Sequence, residues 1–115
     1  MERKYDLEDR TSQFGINVIR FSKTIPQDIV SRPIISQLIR SATSIGANYM
    51  EANAASSRKD FKNKIHICKK ESQETMYWLT MIVECNQNTK ETANTLWKEA
   101  QELTFIFGKI ISSMK

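Results

Sequence analysis

Apolar residues recur along most of this chain at steps of three and four, the period of a helix that turns one face to a core. In the first such stretch, about residues 6–23, Leu7, Phe14, Val18 and Phe21 keep that step. Ile25 continues it just beyond, and Ile16 and Ile19 widen the apolar face. The helix is predicted to stop before Thr24-Ile25-Pro26, because proline disfavours helical geometry in the residue preceding it. A second helix, about 33–55, opens after Ser31 as N-cap with Pro33 in its first turn. It buries Ile34, Ile35, Leu38, Ile39, Ala42, Ile45, Tyr49 and Met50, and its small residues from Ser41 to Ala47 predict close approach of a neighbouring helix.

Ala54-Ala55-Ser56-Ser57 makes the next turn, where Ser57 and Asp60 resemble a capping box built with Asp. The third helix, about 58–86, is the longest, with Phe61, Ile65, Cys68, Ser72, Thr75, Leu79 and Ile82 in one seam. Ile67, Trp78, Met81 and Cys85 form a second seam on another side. From Met76 to Cys85 the apolar pattern is nearly continuous, and a helix apolar all round is buried all round. One small bundle has little to cover it with, so Tyr77, Trp78, Met81 and Cys85 are expected at a subunit interface. A fourth helix, about 90–114, carries Leu96, Ala100, Leu103, Phe107, Ile110 and Met114 in a heptad-like seam, with Trp97, Phe105, Ile106 and Ile111 adding area. Four helices on short connections imply an all-α, antiparallel up-down-up-down bundle spanning residues 1–115 as one domain.

Composition changes this picture little. The 115 residues hold three glycines and two prolines, too few turn formers for a many-stranded sheet. No run approaches the ~18 apolar residues of a membrane span, and Met1-Glu2-Arg3-Lys4-Tyr5-Asp6 lacks the apolar stretch of a signal peptide. The expectation is a cytoplasmic protein without a membrane partner. Cys68 and Cys85, both on the third helix, stand ~25 Å apart, beyond disulfide reach, and are read as buried apolar groups.

Charge is more informative. The net charge is +4, but Arg58, Lys59, Lys62, Lys64, Lys69 and Lys70 oppose only Asp60, so this one segment carries +5 and the rest of the chain about −1. Arg58, Lys59, Lys62, His66, Lys69 and Lys70 recur at helical spacing on one face, where a row of cations can neutralise successive phosphates. The same row can equally be a solvated face. Catalytic constellations find little material. His66 is the only histidine, which rules out paired Glu-x-x-His motifs, and neither a structural zinc set nor a glycine-rich phosphate loop is present. No enzyme activity, metal or cofactor is expected. Arg40, Asn48, Glu51, Glu71 and Glu74 compose either a polar site or a structural network in which a cation pairs with a carboxylate across helices.

The run from Gln37 to Ala52, Q-L-I-R-S-A-T-S-I-G-A-N-Y-M-E-A, resembles the signature of the 23S ribosomal RNA intervening-sequence protein family, and Asp60 to Leu79 is similar to that family's third helix. The matching positions are Arg40, Ser44, Asn48, Glu51, Phe61, Glu71 and Glu74. Where many members end helix two with Glu-Gly, this chain has Glu51-Ala52-Asn53. The resemblance implies a four-helix bundle, a homopentameric assembly with a basic surface and no transferable catalytic residue. It also brings a relative that binds RNA and a reverse transcriptase. The sequence reading that follows is a non-enzymatic, oligomeric nucleic-acid-binding protein, RNA before DNA, whose third helix contacts phosphates. The alternative is a structural adaptor for a protein partner such as a reverse transcriptase.

Overall fold

The computed structural model describes residues 6–114. The domain bounds of 1–115 and the leader reading at Met1–Tyr5 therefore extend to residues outside those described. Four helices account for almost all of it: α1 (Leu7–Lys23), α2 (Ser31–Asn53), α3 (Arg58–Cys85) and α4 (Lys90–Ser113), with one 3-10 turn at Gln87–Thr89. No strand occurs among the described residues.

Each start has a local cause. The Asp6 carboxylate accepts from the Asp9 amide at 3.3 Å at the head of α1. Ser57 Oγ accepts from the Asp60 amide at 3.0 Å and opens α3. α2 differs from the sequence reading. Its helix begins at Ser31, two residues earlier than expected, and Ser31 is buried inside it rather than capping it. Asp28 takes the capping role: its carboxylate accepts from the amides of Val30 at 2.9 Å and Ser31 at 2.8 Å, and its carbonyl accepts from Arg32 at 3.0 Å. Ser31 Oγ closes the loop instead, accepting from the Asp28 amide and donating to the Pro26 carbonyl. At the other end, α2 stops at Asn53, two residues short of the expectation. Ala52 is buried, and the following Ala54 keeps an ordinary φ of −96°. No described residue has positive φ, so the turn into α3 is made without the glycine common in that place.

Interhelical contacts run in opposite directions along each neighbouring pair. Between α2 and α3, Ser41 meets Thr75, the Ile45 carbonyl meets Cys68, and Glu51 meets Lys64. Between α3 and α4, Lys62 reaches the Met114 carbonyl, and Met76 meets Thr104. Thr11 lies by Gly46 and Gly15 by Thr43, which sets α1 against α2 in the same antiparallel sense. A Cβ on Gly15 would stand 3.7 Å from Thr43, and one on Gly46 3.4 Å from Thr11 Oγ1. The small residues of α2 thus serve the close packing expected of them.

The core follows the predicted seams. Phe14, Val18, Leu38, Ile45, Ile65, Leu79, Ile82, Leu103 and Phe107 are essentially inaccessible. The exceptions are instructive. Ile16, Ile19, Met50 and Phe105, each expected to add buried area, are exposed. α1 packs closely on α2 but touches α4 along a much thinner seam, so apolar positions at the edges of the predicted faces find no partner. A shallow apolar groove on the α1–α2 face collects Gly15, Ile16, Ile19, Ala47 and Met50.

A track of unpaired cations on the third helix

Among the described residues, three cations are held by carboxylates across helices. Arg10 on α1 donates from Nε and Nη2 to both oxygens of Glu99 at 2.7 and 2.9 Å, and from Nη2 to Glu102 at 2.9 Å. The Glu99 hydrogen bond, offset in part by burial, holds the guanidinium above its ordinary pKa with help from the Glu99 and Glu102 charges. Arg40 on α2 donates to Glu71 at 3.2 Å and to Glu74 at 2.6 Å, and its Nε to Gln37 at 3.0 Å. Desolvation works against its charge, but the Glu74 hydrogen bond and the Glu71 carboxylate outweigh it and the pKa rises. Lys64 pairs with Glu51 at 2.5 Å.

These contacts divide the family polar positions. Arg40, Glu71 and Glu74 form one network, Glu51 belongs to another with Lys64, and Asn48 donates to the Ser44 carbonyl of its own helix at 2.8 Å. The five do not converge on one site. Among the described residues no three His, Cys, Asp or Glu side chains gather as a metal cluster would.

The remaining cations of α3 contrast with these. Among the described residues, Arg58, Lys59, Lys62, Lys69 and Lys70 have no carboxylate within 4.0 Å. Arg58, Lys59, His66 and Lys70 are exposed, whereas Lys62 and Lys69 are half-buried against α4. The Lys62 ammonium donates to the Met114 carbonyl at 3.4 Å, at the end of α4. The Lys69 stem passes Gly108, where a Cβ would lie 3.9 Å from its Cε. Both stems thus lie along α4, with the Lys62 head at that helix's end. At about 100° per residue, Lys59, Lys62, His66 and Lys70 fall within roughly 80° of one another on the outer side of the rod. Arg58 and Lys69 lie further round the same helix, so that the six predicted residues span about 120°.

The apolar belt is covered more than its sequence suggested. Leu79 and Ile82 are fully buried, Trp78, Met81 and Cys85 are half-buried, and Tyr77 alone stands out at 55% exposure. Trp78 packs edge-on to Tyr77 with ring centroids 4.9 Å apart. Its Nε1–H is buried with no hydrogen-bond partner. Cys68 is buried as expected; Cys85 is only half so. Sequence reasoning missed the Arg10 clamp, since nothing local links residues 89 positions apart; the pair Glu99 and Glu102 on one face of α4 was its only trace.

The described residues form an all-helical bundle of four helices. The chain belongs to the 23S rRNA-intervening sequence protein family, whose profile matches residues 3–109. It is similar to a protein of unknown function from the S23 ribosomal protein family of Bacteroides thetaiotaomicron. That crystal structure shares 32% identity, covers 91% of this chain and 97% of its own, and superposes with a TM-score of 0.79. No curated protein matches the chain. No described helix is long and apolar enough to cross a membrane.

Proposed function

We propose that this protein is a non-enzymatic RNA-binding bundle that works as an oligomer, with Arg58, Lys59, Lys62, His66, Lys69 and Lys70 of α3 lying along the phosphates. The observation that carries the reading is the contrast in pairing. Cations that tie helices together have carboxylates opposite them, whereas five of those left unpaired crowd onto one stretch of α3. Among the described residues, the other unpaired lysines and arginines are scattered over α1, α2 and α4. Concentrated like charge costs folding energy through self-repulsion and is repaid when an anion occupies it.

Glu51, Glu71 and Glu74, the carboxylates that an enzymatic reading would use, are occupied in ion pairs. Copies that assemble, five in the arrangement the family resemblance implies, would repeat the track around the particle. Trp78, Met81 and Cys85 and the α1–α2 groove supply apolar surface for such contacts. A face of lysine and arginine positions backbone phosphates and reads no base edges, so binding is largely sequence-independent.

The test is a salt titration of RNA affinity. If the five cations engage one strand, log Kobs falls against log salt with a slope of roughly −3 to −4. Reversing Lys62 and Lys69 together to Glu abolishes binding and leaves the helical circular dichroism unchanged. An affinity indifferent to salt, or untouched by the double reversal, overturns the proposal.

A further inference from the structure

The cation track does not end in bare helix. Continuing along its line, Gln73 and then Tyr77 follow Lys70 at helical spacing, and both are exposed. At about 100° per residue Tyr77 lies within roughly 20° of His66 and of Lys70, two turns beyond the last lysine. Its ring is not loose. Trp78 meets it edge-on, and the indole is itself wedged into the protein, so the tyrosine is braced with more than half its surface free. Among the described residues, no carboxylate pairs with a cation on this line. The first acid beyond the ring along it is Glu84, nearly two turns further, where an approaching phosphate is repelled.

We propose that the RNA held by this face is single-stranded and that Tyr77 is a platform on which one of its bases stacks. The inference rests on the phosphate-binding reading above and adds the strandedness of the ligand. Cations alone do not discriminate a duplex from a single strand, because both present phosphates. An exposed aromatic at the end of a cation row does, because only an unpaired base can leave its neighbours and lie on the ring. Assigning Tyr77 to the ligand also separates it from Trp78 and Cys85, which point about 80–100° further round the helix and stay available for contacts between copies.

Phe105 provides an internal control. It is more exposed than Tyr77, at 65% against 55%, but stands on α4 one turn from the exposed Glu102, away from the track. The experiment uses the full chain with a fluorescent oligouridine 12-mer and a blunt 12-base-pair RNA duplex, read by anisotropy, with sedimentation measured on every variant.

Tyr77→Ala is expected to weaken the oligouridine complex about 5- to 100-fold, the usual range for losing one base–aromatic stack. Duplex affinity and the salt slope stay as they are, since no charge is removed. Tyr77→Phe and Phe105→Ala bind oligouridine like the unaltered protein. Three results overturn the proposal: Tyr77→Ala holding oligouridine within twofold of the parent, equal losses on both RNAs, or a fall in oligomer mass accompanying the loss. Each of these can occur while the Lys62/Lys69 reversal still abolishes binding, in which case stacking alone fails. If that reversal leaves both RNAs bound, the phosphate reading fails first.

Discussion

Cys68 shows how a single buried group sets a pH limit on this fold. Its thiol is inaccessible and donates to the Ile45 carbonyl at 3.5 Å. Burial pushes its pKa up from 9.0 to about 12, because a thiolate there would lose its hydration. Below pH 9 the thiol is neutral in both folded and unfolded chains, and its packing contributes in full. Between pH 9 and 12 the unfolded chain releases the proton and the folded one does not, so stability declines as pH rises. Cys68→Ala is expected to lower stability at neutral pH by opening a small cavity and to flatten this alkaline decline. Urea midpoints for both proteins between pH 7 and 11 measure the difference. Buried hydroxyls follow a related logic. Thr11, Ser72, Thr75 and Thr104 each donate to the carbonyl four residues earlier, which satisfies the buried hydroxyl; the helical period placed Ser72 and Thr75 in the core, but not Thr11 or Thr104.

Among the helices, α3 and α4 were the most legible in the sequence. Ile65, Cys68, Leu79 and Ile82, and Leu96, Ala100, Leu103 and Phe107, are buried, since a strict helical period leaves one face for a core; Phe61, Ile110 and Met114, at the ends of the same seams, are half-buried. α1 and α2 were read less well at their margins. Ile16, Ile19 and Met50 fit the same period but lie at the edge of the contact, and periodicity gives a face its direction without giving its width. The sequence places the start of α2 two residues late because Ser31 and Pro33 fit a cap and a first turn, whereas the capping carboxylate belongs to Asp28. The candidate track was visible as a charge run; that its cations lack carboxylates depended on where the other helices came to rest. Gly15 is a point where the element can be improved. A methyl there meets Thr43 at 3.7 Å, an ordinary contact, and replaces the most flexible residue in the middle of a helix. Gly15→Ala is expected to stabilise the protein by about 0.5–1 kcal/mol, read as a rise in the thermal midpoint. Gly46 is closer to its neighbour, and any side chain larger than Ala there has to displace α1.

Across the whole molecule, 44 × 30 × 20 Å, the bundle is unevenly closed. α2, α3 and α4 pack side by side along their lengths, whereas α1 is pressed mainly onto α2. Between α1 and α4 an open groove of about 900 Å³ runs past Asp9, Gln13, Asn17 and Thr95, and a second hollow continues it beside Arg20 and Thr92. Arg10, with Glu99 and Glu102, is the latch across this gap.

A rod fastened along one edge behaves as a hinged door. The least costly excursion of this protein is for its first seventeen-residue helix to swing clear while the other three hold together, because few burials are given up on the unlatched side. A helix of that length is marginal once undocked and unwinds, so backbone amides of Phe14 and Val18 should trade hydrogen for deuterium well before those of Leu79 or Leu103, and Arg10→Ala should hasten the early set while leaving the late set unaltered.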